Sequence, residues 1–146
     1  MRLVLDTNVV VSGLIWDGPP RRLIDLAASG DIALFSSTVL LEELAGVLER
    51  RKFAASLASR GLSAGFLTQR YGAVTTLVFP PRADRMVPAD ADDDHVIAPA
   101  VCANADAVAT GDTHLLALDP YDGIRILPPA KVLELLNVPE GRHRCG

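Results

Sequence analysis

Four acidic residues, spread along most of the chain, have the types and spacing best suited to chemistry: Asp6, Glu43, Asp93 and Asp112. In a parallel α/β fold, the first and the last would meet at one edge of the sheet, and helices would add the other two. Carboxylates gathered that closely repel one another unless they are protonated, hydrogen-bonded or bound to a cation. The pattern therefore predicts a site for a divalent metal ion.

Asp6 and Asp112 each follow a short apolar run that is typical of a buried strand. Residues 3–5 precede Asp6, and residues 107–110, followed by one glycine, precede Asp112. In open parallel sheets, ligands bind in the crevice beyond the carboxyl ends of the strands. Both acids are therefore expected at the tips of strands that share one site.

Glu43 can be distinguished from its neighbour Glu42 by helical geometry. The stretch from Ser36 to Leu48 begins with residue types that cap helices and continues with apolar residues three and four apart, which predicts an amphipathic helix. Residues at that spacing are neighbours on a helix surface, so Glu43 falls on the apolar face and Glu42 on the polar one. Because an unpaired carboxylate on a packing face is unfavourable, we expect Glu43 to be neutral, hydrogen-bonded or bound to metal.

Asp93 belongs to an acidic run at 90–94 that leads into a predicted helix. Successive helical residues are about 100° apart, so three adjacent aspartates cannot point to one place. Asp93 shares a stripe with Ile97, but periodicity alone leaves Asp92 as a rival. The alternative is that the run is only a charge cluster favoured by the helix dipole. Pro99 removes a backbone hydrogen bond from this helix, which predicts a late start or a bend.

The remaining patterns predict strands that alternate with helices. The predicted strands are Leu3–Leu5, Ile32–Phe35, Thr75–Phe79, Ala107–Thr110 and Ile124–Leu127. The other predicted helices start at the 18–20 turn and end at 28, or span 53–60, 64–71, 114–118 and 129–136. This alternation predicts a single α/β domain over residues 1–136, a three-layer α/β/α sandwich with a central parallel sheet, followed by a polar tail at 137–146.

The composition agrees with one such domain and excludes several classes of protein. The apolar share is 49% with 5% aromatics, and no apolar stretch approaches the roughly 20 residues of a membrane span. We expect a cytoplasmic protein with no membrane partner. Two cysteines and three histidines give neither a disulfide framework nor zinc spacing.

A net charge of −4 argues against a uniformly basic surface for nucleic acid. Basic clusters at 21–22 and 50–52 lie near predicted helix ends, where they could reach phosphates or simply be solvated. Trp16 is interpreted as a core or dimer contact, with base stacking on an exposed loop as the alternative.

With these residues together, the chain resembles a PIN domain, and within that superfamily the toxin components of bacterial toxin-antitoxin systems related to the VapC toxins. The resemblance runs from Met1 to about Leu136. Its matching pieces are Leu5-Asp6-Thr7-Asn8-Val9 with Ser12, the 36–48 helix with Glu43, Asp90-Ala91-Asp92-Asp93, and Thr110-Gly111-Asp112 followed by Leu115-Leu116. Each piece is short, but all four in order with suitable secondary structure make a strong signal.

The resemblance implies a Mg²⁺- or Mn²⁺-dependent endoribonuclease with one or two ions, and it favours Asp93 over Asp92 as the third acid. Asp6, Asp93 and Asp112 would hold metal directly, with Glu43 as a further ligand or as an orienter of water. It also implies an RNA substrate, a homodimer and a cognate antitoxin protein.

Four neutral side chains beside the acids are candidates to contact phosphate or to support the ligands: Asn8, Ser12, Thr110 and Thr113. A turn or cap hydrogen bond explains each of them equally well. Two other functions remain open: a free-standing RNA-processing or DNA nuclease, and a catalytically silent PIN-like module that binds protein or RNA.

Overall fold

The computed structural model describes residues 1–81 and 91–136, and within residues 91–94 it describes the backbone alone. Asp90, most of the loop predicted between Pro80 and Pro88, and the tail predicted at 137–146 lie outside the described residues. The division into a domain at 1–136 and a tail therefore stays a prediction.

A five-stranded sheet forms the centre of the molecule. Its strands are β1 (Arg2–Leu5), β2 (Ala33–Ser36), β3 (Thr75–Leu77), β4 (Ala107–Ala109) and β5 (Arg125–Leu127). Their order is β3-β2-β1-β4-β5, and every neighbouring pair is parallel. The register pairs Leu5 with Ala109, so the carboxyl ends of β1 and β4 lie side by side at the middle of the sheet. The predicted parallel sheet is confirmed.

Helices cover both faces of this sheet. They are α1 (Thr7–Ile15), α2 (Pro19–Ala28), α3 (Thr38–Leu48), α4 (Arg51–Ser59), α5 (Ala64–Ala73), α6 (Ala91–Cys102), α7 (Thr113–Leu116) and α8 (129–136). Successive side chains of a strand point to opposite faces. Accordingly, Leu3 and Leu5 belong to one buried apolar cluster, whereas Val4 belongs to a second cluster on the other face. The predicted three-layer α/β/α sandwich is confirmed.

Helix α1 is not predicted by the sequence patterns. Its run of Val9, Val10 and Val11 is β-branched, and such residues disfavour helices. All three valines are buried, so tertiary packing outweighs their local preference. Gly13 permits a close approach of α2, because a Cβ there would lie 2.7 Å from Ile24 Cδ1.

The other element boundaries differ from their predictions by a few residues, as is usual for helix and strand ends. Among the strands, the largest difference is in β3, which ends at Leu77 instead of Phe79. Helix α6 contains Pro99 and begins at Ala91, so it does not start late, and the alternative of a bend at Pro99 stays a prediction. No helix in the described part of the chain has the length and apolarity that a membrane span requires.

Candidate active site

A cleft of about 200 Å³ opens where the carboxyl ends of β1 and β4 meet the helices that follow them. It contains three of the four acids singled out in the sequence. Its lining residues are Asp6, Thr7, Asn8, Glu43, Val47, Arg50, Val96, Asp112 and Leu115.

Asp6 follows the last residue of β1 and caps the N-terminus of α1. One carboxylate oxygen, Oδ1, accepts a hydrogen bond from the Thr7 backbone N–H at 2.7 Å, and the other, Oδ2, accepts one from the Thr110 hydroxyl at 2.8 Å. Burial raises the pKa of Asp6 above its ordinary value; the Thr110 and Thr7 hydrogen bonds lower it in part, and the charges of Glu43 and Asp112 raise it further. The ionised form of Asp6 is therefore disfavoured, and a bound cation would stabilise it.

Glu43 reaches the cleft from the middle of α3. Its side chain is partly buried and its Oε1 accepts a hydrogen bond from the Thr7 hydroxyl, whereas Glu42 is exposed. Val47, one turn further along α3, also lines the cleft. The structure therefore orients the two glutamates as helical geometry predicts.

Asp112 lies beyond β4 and caps α7, where its Oδ1 accepts a hydrogen bond from the His114 backbone N–H at 2.8 Å. Its own backbone N–H donates to the Thr110 hydroxyl at 3.0 Å. That fully buried hydroxyl is the one that donates to Asp6. Thr110 thus connects the two strand-tip acids through a single oxygen atom.

Asp93 lies in the first turn of α6, and its side chain is outside the described residues. The backbone places it three residues before Val96, which lines the cleft. Residues three apart are neighbours on a helix surface. The choice of Asp93 over Asp92 stays a prediction that rests on the family resemblance.

The four neutral candidates divide into two groups. Asn8 lines the cleft and Thr110 supports two of its acids, whereas Ser12 and Thr113 are not among the lining residues. The sequence reasoning did not single out Thr7, a buried residue whose backbone and hydroxyl connect Asp6 to Glu43. Its position directly after a strand-tip acid is the signal that could have identified it.

Two residues correct or extend the interpretation of the sequence. Trp16 is 53% exposed, so the interpretation that it packs in the core is wrong, and its alternative role as a dimer contact stays a prediction. Arg50, noted only as part of a basic cluster, lines the cleft together with the acids.

The donor chemistry of the cleft fits a hard divalent cation, with one restriction. Among the residues described here, no group of three or more His, Cys, Asp or Glu side chains is arranged to hold a metal ion. Mg²⁺ commonly binds through one or two carboxylates, with water and substrate phosphate completing its shell. Such an ion needs only Asp6 and one neighbouring carboxylate, so the cleft is compatible with it.

The fold and the cleft define an α/β/α domain with acidic residues at the carboxyl edge of its central strands. A family model described as PIN domain matches residues 2–114, and the chain belongs to the PIN domain family. PIN domains are typically nucleases, a class of hydrolases, and they generally use divalent metals. The matched range includes all four acids. No curated protein matches the chain in sequence.

Proposed function

We propose that the chain is a Mg²⁺- or Mn²⁺-dependent endoribonuclease that hydrolyses RNA phosphodiester bonds. The observation that carries this proposal is the partly buried carboxylate of Asp6, which shares one cleft with Glu43 and Asp112. Like charges in that arrangement favour a cation, and a cation favours a phosphate ligand. Membership of a family of nucleases supports the reaction type.

Asp6 and Asp112 are the residues of the described cleft that we expect to hold the cation, together with Asp93 from α6. When bound, a divalent cation polarises the scissile phosphate and makes water a stronger nucleophile. The Oε1 atom of Glu43 accepts a hydrogen bond from the Thr7 hydroxyl. The Oε2 atom remains available to orient the attacking water or to accept a proton from that water.

Other residues of the chain keep the acids in place and balance charge. Thr7 and Thr110 hold both oxygens of Asp6, so this side chain is preorganised before substrate arrives. Arg50 contributes a positive charge to the same cleft, where it can contact a phosphate next to the one that is cleaved.

End-labelled RNA incubated with purified protein tests this proposal. We expect internal cleavage with Mg²⁺ or Mn²⁺, none with chelator, and none by the Asp6→Asn variant. Asp25→Asn, an exposed aspartate on α2, is the matched control and should cleave like the unmodified protein. Cleavage that survives chelator would contradict the mechanism, and so would full activity in Asp6→Asn. A DNA strand of the same sequence tests the preference for RNA.

The biological role that we propose is that of a toxin, dimeric and restrained by a cognate antitoxin protein. Its support is the resemblance of the acidic motifs to those of the VapC-like toxins. Induced expression should arrest growth, and the Asp6→Asn variant should not. Cleavage of RNA in vitro without any effect on growth would instead favour a free-standing RNA-processing enzyme. Sedimentation of the purified protein tests the dimer.

A further inference from the structure

An exposed tryptophan and a partly buried phenylalanine form a pair of aromatic rings outside the cleft. Trp16 follows the last residue of α1 and is 53% exposed, and its ring meets that of Phe53 on α4 edge to face, with 6.3 Å between their centroids. A large aromatic side chain held by one neighbour but left open to solvent is suited to contact a ligand. Nothing in the proposed catalytic chemistry uses it.

Helices α1 and α4 lead from the cleft to this pair. Asn8, near the start of α1, and Arg50, directly before α4, both line the cleft. At the other ends, the guanidinium of Arg60 donates a hydrogen bond of 2.9 Å to the backbone carbonyl of Ile15. The contacts of Phe53 with Trp16 and of Arg60 with Ile15 place the end of α1 against α4, and α1 spans about 13 Å at 1.5 Å per residue. The path from the cleft to the aromatic pair therefore begins at Arg50 and leads past Lys52 to Phe53 and Trp16.

The charge of the path is opposite to that of the cleft. Residues 50–52 are three consecutive exposed cations, and the Lys52 ammonium lies 4.9 Å from the centroid of the Phe53 ring. One exposed acid, Glu49, directly precedes these cations. Asp17, the neighbour of Trp16, is 3.6 Å from the Arg21 guanidinium, which offsets its charge. Aromatic rings interleaved with cations are the features that bind single-stranded nucleic acid.

We propose that Trp16, supported by Phe53, stacks on an unpaired base of single-stranded RNA, whose phosphates pass Lys52 and Arg50 before they enter the cleft. This inference rests on the proposed function and adds to it the residues that hold substrate outside the cleft. A base in a duplex has both faces covered by its neighbours, so only an unpaired nucleotide can use this platform. Trp16 is then a substrate-contacting residue outside the reacting centre.

The chain contains one tryptophan, so intrinsic tryptophan fluorescence reports on Trp16 alone. We would titrate the Asp6→Asn variant, which cannot cleave, with an end-labelled single-stranded oligoribonucleotide in Mg²⁺. Fluorescence anisotropy of the label measures binding, and tryptophan emission measures stacking. We expect quenching that saturates together with the anisotropy, and weaker quenching by a double-stranded RNA of the same length.

Substitutions in the same background supply the controls. Trp16→Ala should weaken binding of the single strand about 10-fold, whereas Trp16→Phe, which keeps an aromatic face, should stay within about 3-fold of the parent. Phe66→Ala is the matched control, because Phe66 is another exposed aromatic residue near an arginine, Arg70, and does not line the cleft. Its effect should be negligible.

Three results would overturn the inference, and they separate it from the proposed function. If RNA is cleaved by the unmodified protein but binding leaves tryptophan emission unchanged, the stacking platform is wrong and the nuclease proposal stands. If RNA is neither bound nor cleaved, both are wrong. If Trp16→Ala converts a dimer to a monomer without changing RNA affinity, the aromatic pair is an interface between two copies of the chain.

Discussion

Replacing Asp6 by asparagine should stabilise the metal-free protein. The substitution keeps the shape of the side chain and removes one of the negative charges in the cleft. Asparagine can keep the hydrogen bond from the Thr7 N–H through its oxygen. The bond with Thr110 must reverse its direction, because the asparagine amide donates to a hydroxyl that also accepts from the Asp112 N–H. The contacts of the side chain are retained, so the main change is the loss of one negative charge.

The magnitude follows from the way Thr7 joins the two acids. Its N–H is 2.7 Å from Asp6 Oδ1 and its hydroxyl contacts Glu43, so the carboxylates repel each other by about 1 kcal/mol, taking about 8 Å between them and an effective dielectric constant of about 40 for a cleft open to water. Asp112 is exposed, and solvent screens its contribution. Two charge-assisted hydrogen bonds become neutral, which loses about 1 kcal/mol each. Relief from burying a charge, which is the largest cause of the raised pKa of Asp6, returns about 2 kcal/mol. The net gain that we expect is therefore about 1 kcal/mol.

For a domain of this size, a gain of about 1 kcal/mol raises the melting temperature by about 3 °C. Thermal unfolding in chelator at pH 7 measures it, with Asp25→Asn as an exposed control that should not shift. The gain should depend on pH. Because the folded pKa of Asp6 is raised above 3.8, its contribution to stability is present below that pH and is lost as pH rises through the folded value. The advantage of Asp6→Asn should therefore narrow as pH falls towards 4.

Divalent metal should reverse the order of stability, since Mg²⁺ or Mn²⁺ binds the ionised carboxylate and stabilises the unmodified protein more than the variant. An Asp6→Asn variant that melts at or below the parent temperature in chelator at pH 7 would refute the electrostatic reasoning. A difference that stays constant between pH 7 and pH 4 would do the same.

Three further substitutions have expected outcomes. Glu43→Gln should weaken Mn²⁺ binding in calorimetry about 10-fold, while Glu42→Gln, on the exposed face of the same helix, should leave it unchanged. Equal effects would contradict the inference that only the inward face of α3 acts on the ion. Tyr71→Phe should raise stability by about 1 kcal/mol, because the buried hydroxyl has no hydrogen-bond partner among the described residues. Burial also raises the pKa of Tyr71, so the unmodified protein should lose stability as pH rises above 10.0, whereas the Tyr71→Phe variant should not. An equal loss of stability in both proteins at alkaline pH would contradict this. Gly13→Ala should lower the free energy of unfolding by about 1 to 3 kcal/mol, because the added Cβ meets α2. Gly46→Ala, which has open space around it in α3, should raise the free energy of unfolding by about 0.5 to 1 kcal/mol. An unchanged stability of Gly13→Ala would mean that α1 and α2 separate easily.

The parallel sheet and the orientation of Glu43 could be predicted from the sequence, because both depend on short-range periodicity. Apolar runs that end in an acid mark β1 and β4, and a spacing of three and four residues fixes which glutamate of α3 faces inward. Helix α1 could not be predicted in this way. Its valines favour strands locally, and only burial on nearly every side makes them helical.

The hydrogen bonds of the site also could not be predicted. Thr110 and Asp6 are 104 residues apart, and their contact depends on the register between β1 and β4. Thr7 connects to Glu43 only because α1 packs against α3. Side-chain contacts of this kind follow from tertiary structure, which a linear pattern of residue types does not specify.

The strand order has a consequence for synthesis of the protein on the ribosome. The central strand β1 is made first of the five strands, but its neighbour β4 and the acid beyond its tip follow only after about a hundred further residues, so the nascent chain carries an incomplete cleft in the meantime. An enzyme of this design would be able to cut RNA only after Asp112 has left the ribosome. Messenger and ribosome would be spared from a partly made copy.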